Sequence, residues 1–210
     1  ANRAKTRAND GSRLKSLLYG IKEKNMAQLY VVRHGQTDWN VQNRYQGASD
    51  VVLNATGRQQ ANEVAERIQQ NYTVDIVVSS PLRRARETAD IIATVLNIDV
   101  CIMKQFTERN VGVYEGLTPV EAKSRYPEIW AQNITRHLNT APIGGETILE
   151  VGSRILDGLN HIKMHYQSKN VVLVAHGYVA RMINGILNRV SDDLFHSYRL
   201  ENGEIAAHQF

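Results

Sequence analysis

Four short apolar, β-favouring runs recur along the chain, each followed by chain of a different character, and this spacing restricts the fold more than any other feature. Residues 29–32 read LYVV, residues 74–80 VDIVVSS, residues 98–103 IDVCIM and residues 170–176 NVVLVAH. Runs of this length without polar alternation suit strands buried on both faces of a sheet. Residues 54–70 place Ala61, Val64, Ala65 and Ile68 on one helical face. Ile148, Val151, Ile155, Leu159 and Ile162 do the same in the segment after Gly144 and Gly145. Pro81 is predicted to open a helix over residues 81–96, since a first turn tolerates proline. Residues 177–187 read as a further helix. Strands alternating with helices predict an α/β fold, here a three-layer α/β/α sandwich around a mostly parallel sheet. Near the end, Asn202-Gly203 lies between two short runs, a hairpin signal.

Length and composition fit one domain with an appendage: 210 residues, 42% of them apolar. The net charge of +4 raises the question of a nucleic-acid partner. Residues 1–25, however, hold seven Lys and Arg against two acids, a surplus of five, which leaves the rest of the chain near −1. No nucleic-acid partner is therefore expected for the body. Residues 1–25 read as a basic extension, artificial or the product of a mis-called start, with Met26 as a second start and residues 26–210 as the catalytic domain. If functional, the extension would form a basic amphipathic helix, and an adaptor using it to bind nucleic acid is a competing class. A single cysteine, Cys101, excludes an intramolecular disulfide and suits a reducing, cytoplasmic setting. No apolar run approaches the roughly 20 residues that span a bilayer, so no membrane partner is expected.

In open α/β sheets ligands gather beyond the carboxyl ends of the strands. Arg33 and His34, Arg84 and His176 all fall at such ends, and Glu108 follows the third run. Arginine forks match phosphate oxygens, a neutral imidazole is a nucleophile near pH 7, and a glutamate can protonate a leaving oxygen. With cations supplying charge stabilisation, phosphoryl transfer needs no metal. His161 and His165 have metal-binding spacing but no evident third ligand, so a solvated face is expected.

These residues sit in blocks that resemble the histidine phosphatase superfamily, the phosphoglycerate mutase-like family. RHGQTDWN resembles its signature, SSPLRRARETA its second block and ERNVGVYEG the block bearing the acid; GGET and VAHGYVAR follow in family order, over residues 28–188. The resemblance implies that His34 is the nucleophile that becomes phosphohistidine, with no further cofactor. It implies that Arg33, Arg84 and His176 hold the phosphoryl group and that Glu108 is the proton donor. Arg84 is preferred to Arg83 because it immediately precedes the alanine. Asn40, Gln46 and Gly47 match phosphate-contacting positions, and Thr37 and Gly177 are taken with them. Glu115 is a competitor for the acid, and Glu146 either begins a helix or touches the site.

Family mutases carry a lysine where this chain has Pro119, and an Arg-Arg pair where it reads Trp130-Ala131-Gln132. The expected activity is therefore hydrolysis of a small phosphorylated metabolite, with a cofactor-dependent phosphoglycerate mutase as the alternative. Residues 117–142 are expected to set the substrate, Tyr126 and Trp130 either lining its pocket or packing. A phospho-ligand binder without catalysis is the remaining class, and a homodimer is left open.

Overall fold

The computed structural model describes residues 27–210. The expectations for residues 1–25 and Met26 lie outside the described residues. Five strands form one sheet: β1 (Gln28–Arg33), β2 (Ile76–Ser79), β3 (Val100–Ile102), β4 (Val171–Ala175) and β5 (Ile205–Gln209), in the order β3-β2-β4-β1-β5. The first four pair in parallel and β5 runs antiparallel to β1. Eight α-helices accompany them among the described residues: α1 (Asp38–Val41), α2 (Ala55–Asn71), α3 (Arg83–Leu96), α4 (Pro119–Arg125), α5 (Pro127–Ala131), α6 (Ile148–His165), α7 (Gly177–Asn188) and α8 (Asp192–Ser197).

The period-2 geometry of the strands divides the core into two layers. Leu29, Val31, Val171 and Leu173 pack with Val151, Ile155 and Leu159 of α6 and with Ile183 of α7. Tyr30, Val32, Val172 and Val174 point the other way, onto Val64 and Ile68 of α2 and Ala89 and Ile92 of α3. This is the three-layer α/β/α sandwich that the alternation predicts. A third, smaller cluster of Tyr114, Leu117 and Ala122, with Tyr45, Tyr126 and Trp130 against it, caps one end.

Three sequence expectations need correction. Pro81 does not open α3: the Leu82 carbonyl accepts the first helical bonds from Ala85 and Arg86 N–H, so the helix begins at Arg83. Its first N–H is capped by the Asp50 carboxylate at 2.7 Å, a residue distant in sequence. The third strand spans three residues instead of six, because β3 is an edge strand whose one neighbour, β2, offers only a short pairing register. Asn202-Gly203 forms a turn but no hairpin. Residues before it make no strand, and the turn instead hydrogen-bonds to the end of β1, through Gly203 N–H to Arg33 carbonyl and Arg33 N–H to Glu204 carbonyl. No helix among the described residues is long and apolar enough to cross a membrane.

Candidate active site

Strand order and register bring the site together. Arg33 lies beside Ala175 across β1 and β4, and Ser79 lies beside Val174 across β2 and β4. The next residues out, His34 and His176, therefore emerge from adjacent strands at one level, with Ser80 on the neighbouring strand one register position behind them. The ladder carries on past the strand ends, with His34 N–H on the Ala175 carbonyl at 3.0 Å and Ser80 N–H on the Val174 carbonyl at 3.1 Å.

His34 is 3% exposed. Its Nδ1 lies 2.7 Å from the Gly35 carbonyl, and Arg84 Nε lies 3.2 Å from its Nε2. A carbonyl can only accept and a guanidinium can only donate. Nδ1 therefore carries the proton and Nε2 presents its lone pair. Burial, then the charges of Arg84 and Arg33, hold this imidazole well below its usual pKa, so the neutral form persists at neutral pH. The backbone here is clamped from two sides. Asn202 Nδ2 donates to the His34 carbonyl at 2.9 Å, and Gly35 N–H donates to Thr88 Oγ1 at 3.1 Å. A Cβ at Gly35 would collide with the Gly57 carbonyl, so glycine is what lets α2 approach this turn.

Arg84 is fully buried, and all three of its nitrogens are engaged. Besides His34 Nε2, it donates to the Ser49 carbonyl at 2.7 Å and the Gly47 carbonyl at 2.8 Å. Arg84 and Thr88 are four residues apart, on the face of α3 turned to the end of β1. Burial lowers the guanidinium to about 10, against the opposing charge of Glu108, and it remains a cation at neutral pH. Arg83, its sequence neighbour, is exposed. Arg33 donates through Nη1 to the Leu200 carbonyl at 2.8 Å, while its Nε is buried without a hydrogen bond. Gly177 leaves the space beside that guanidinium clear: a Cβ there would stand 3.5 Å from Arg33 Nε.

His176 is buried behind His34, the ring centroids 5.2 Å apart and edge to face. Its Nε2 is 2.7 Å from Ser80 Oγ. That hydroxyl oxygen also accepts from Leu82 N–H, and with its second lone pair and its O–H it can either accept from Nε2 or donate to it. Nδ1 has no hydrogen-bond partner. Burial first, then Arg84, keep this imidazole neutral as well.

Glu108 faces the cleft, its carboxylate accepting from Arg109 N–H at 2.9 Å and from Tyr178 N–H at 3.1 Å in the first turn of α7. Arg154 of α6 pins its loop, donating to the carbonyls of Gln105 and Thr107, both at 2.7 Å, and gripping Glu146 at 2.8 and 2.9 Å. Glu146 thus supports the loop and does not line the cleft. Glu115 does not line it either: its carboxylate accepts from Ala48 N–H at 2.8 Å and from the Ser49 hydroxyl, and so shapes the loop that Arg84 holds.

Among the phosphate-loop candidates, Asn40, Gln46, Gly47 and Gly177 line the cleft. Thr37 does not. It is fully buried, and its side chain and backbone close a capping box with Asn40 at the start of α1. The cleft has a volume of about 860 Å³, far more than a phosphate requires, with Tyr45, Tyr114 and Trp130 on one wall. Tyr126 packs on Tyr114 and does not line it. Near the reacting residues, Ser80, Asn202, Arg109 and Tyr178 were not legible in the sequence. All but Asn202 lie inside blocks singled out for other residues, and Asn202 gave only a turn signal. Among the described residues no group of three or more His, Cys, Asp or Glu could hold a metal ion.

The chain matches the family described as histidine phosphatase superfamily (branch 1) over residues 29–210. It is 37% identical over 187 residues to the uncharacterized phosphatase PhoE of Bacillus subtilis (strain 168), covering 88% of this chain and 89% of that protein. A solved mycobacterial glucosyl-3-phosphoglycerate phosphatase with VO3 superposes with a TM-score of 0.77 at 27% identity, covering 86% of this chain and 90% of that one. Phosphoserine phosphatase from Entamoeba histolytica, solved with 3-phosphoglyceric acid, gives a TM-score of 0.74 at 30% identity, covering 87% and 90%.

Proposed function

From the premise that the chain belongs to the histidine phosphatase superfamily and is a phosphatase, we propose that His34, Arg33, Arg84, His176 and Glu108 carry out a two-step phosphomonoester hydrolysis on a small phosphorylated metabolite. The observation that carries this reading is the tautomer of His34: the Gly35 carbonyl fixes the proton on Nδ1, leaving Nε2 as the nucleophile beside Arg84. In the first step Nε2 attacks phosphorus, the P–O ester bond breaks, and Glu108 gives its proton to the departing alkoxide. In the second, water attacks the phosphohistidine, Glu108 takes a proton from it, the N–P bond breaks, and inorganic phosphate leaves with neutral His34 restored.

Charge on the transferring oxygens is met by Arg33, whose buried Nε lacks a partner, by Arg84, and by His176, whose Nδ1 has no other partner and donates when it carries the ring proton. Such fixed donors do not reorganise during reaction, which is why each contributes more than it would in water. His34 gains positive charge when phosphorylated, and the Gly35 carbonyl is placed to accept its Nδ1–H throughout. The chemistry assigned to these residues calls for no metal or organic cofactor, the covalent phosphohistidine being the only intermediate. A cytoplasmic setting fits a chain whose one cysteine, Cys101, is a free thiol.

Hydrolysis is favoured over mutase chemistry because the mutase lysine and Arg-Arg pair are replaced by Pro119 and by Ala131 and Gln132. The test is phosphate release from p-nitrophenyl phosphate and from 3-phosphoglycerate, with interconversion of 2- and 3-phosphoglycerate measured in parallel. Release that exceeds interconversion, and is lost in His34→Ala, is expected. Interconversion equal to or faster than release would overturn the reading.

A further inference from the structure

The outer part of the cleft, beyond the five residues just assigned, is crowded with arginines that outnumber the acids near them. Arg109, Arg136, Arg181 and Arg199 all line it. None of the four makes an ion pair among the described residues, although Arg33, Arg44, Arg58, Arg86 and Arg154 each do. Two of them grip the same ring: Arg109 lies 5.0 Å and Arg181 5.4 Å from the centroid of Tyr178. Arg109 is 2% exposed, held by the Glu146 carbonyl at 2.9 Å and the Thr135 carbonyl at 2.8 Å. Its Nη2 is buried with no hydrogen bond of full geometry, and so is the Tyr178 hydroxyl. Burial raises the phenol's pKa, with Arg109 and Arg181 pulling against it. The Arg181 guanidinium is lowered by burial first and by the charge of Arg199 next, so these cations repel one another. Like charges held this way in a half-buried wall are unfavourable until an anion arrives.

The cluster has a definite place relative to the chemistry. Tyr178 N–H holds the Glu108 carboxylate, and Arg109 follows Glu108 in the chain. Glu108 meets the leaving oxygen, so the arginines surround what is attached to that oxygen. We propose that Arg109, Arg136, Arg181 and Arg199 form a second anion subsite on the leaving-group side, and that the substrate is a phosphomonoester whose alcohol portion carries its own carboxylate or phosphate. The proposal rests on the phosphatase reading for its orientation. It places substrate selection on different positions from the mutase cations that this chain lacks. Planar forks suit either oxyanion, and the aromatic wall of Tyr45, Tyr114 and Trp130 leaves room for the carbon body between the two charges.

The experiment measures calorimetric affinities of the full chain carrying His34→Ala, so that no ligand turns over. The ligands are 3-phosphoglycerate, glycerol 1,3-bisphosphate and glycerol 3-phosphate. One or both of the first two should bind at least about tenfold more tightly than glycerol 3-phosphate, as one or two charge-assisted hydrogen bonds would give. The tighter of the two identifies the oxyanion. Adding Arg181→Gln should bring that ratio down by about tenfold, and Arg136→Gln, at an exposed position less prone to disturb folding, should lower it in the same sense. Equal affinity for all three ligands, or a ratio unmoved by both substitutions, would overturn the proposal. Turnover of p-nitrophenyl phosphate by the chain with His34 intact reports separately on the phosphatase reading, so failure of one is distinct from failure of the other.

Discussion

The floor of the cleft and its outer wall are both cationic, yet they are built in opposite ways. On the floor, Arg84 is fully buried with every nitrogen engaged, and His34 and His176 are neutral rings fixed by the Gly35 carbonyl and the Ser80 hydroxyl. On the wall, Arg136 and Arg199 are exposed, and the buried Nη2 of Arg109 makes no full hydrogen bond. The floor is tied into three strand ends and two helices; residues 117–142 of the wall stand on short helices and a small aromatic cluster. The comparison separates two tasks. A reaction common to many substrates needs geometry set before the substrate arrives, whereas selection of a substrate needs charges that the substrate itself completes.

The largest effect should come from breaking the floor. Arg84→Leu removes the donor to His34 Nε2 and strands the carbonyls of Gly47 and Ser49. We expect kcat/KM on p-nitrophenyl phosphate to fall on the order of 100-fold or more. Steady-state kinetics on folded protein checks it, and a loss of less than threefold would remove Arg84 from the chemistry. Next comes the loop beneath. Gly47 has φ +52°, and a Cβ there would collide with the Glu115 carboxylate. Gly47→Ala should cost about 1–2 kcal/mol from the left-handed backbone alone, measured by urea denaturation, with activity falling in step as the loop shifts from Arg84.

Acid should sharpen the same contrast. His34 and His176 are held neutral in the folded chain, below their unfolded value near 6.5. The unfolded state then binds more protons below that pH, so stability falls as pH drops through about 6.5 and keeps falling until the folded pKa is reached. Each histidine contributes up to about 1.4 kcal/mol per pH unit in that window. Denaturation at pH 7.5 and 5.5 should show the loss, and His34→Gln should remove one histidine's share of it. A pH dependence identical with and without His34 would contradict its neutral state. The smallest effect belongs to the wall: Arg136→Gln, at an exposed site without an ion pair among the described residues, should change stability by no more than about 0.5 kcal/mol. A larger loss by the same denaturation assay would mean that the wall shares the floor's construction.

What the sequence made legible follows the same division. Strand runs and helical faces depend on local pattern, and the parallel sheet with its site at the carboxyl ends follows from them. Arg84 could be told from Arg83 by the family block it resembles, in which the arginine immediately precedes the alanine, and the helix face then buries Arg84 and exposes Arg83. The errors arose where distant chain decides the outcome. The start of α3 depends on Asp50, and the turn at Asn202-Gly203 pairs with the end of β1, with Asn202 on the His34 carbonyl. The arginine wall was hidden for the same reason: Arg109, Arg136, Arg181 and Arg199 come from four separate segments, and no local spacing announces their meeting.

The central claim is that phosphate passes through His34 Nε2. Rapid quenching of the enzyme with phosphorus-32-labelled substrate, followed by mapping of the labelled peptide, tests it most directly. The expected result is an acid-labile, base-stable phosphoenzyme formed in a burst, located on His34 and absent from His34→Ala. Phosphate release at the full rate with no labelled intermediate, or label found on His176 or a carboxylate, would contradict it.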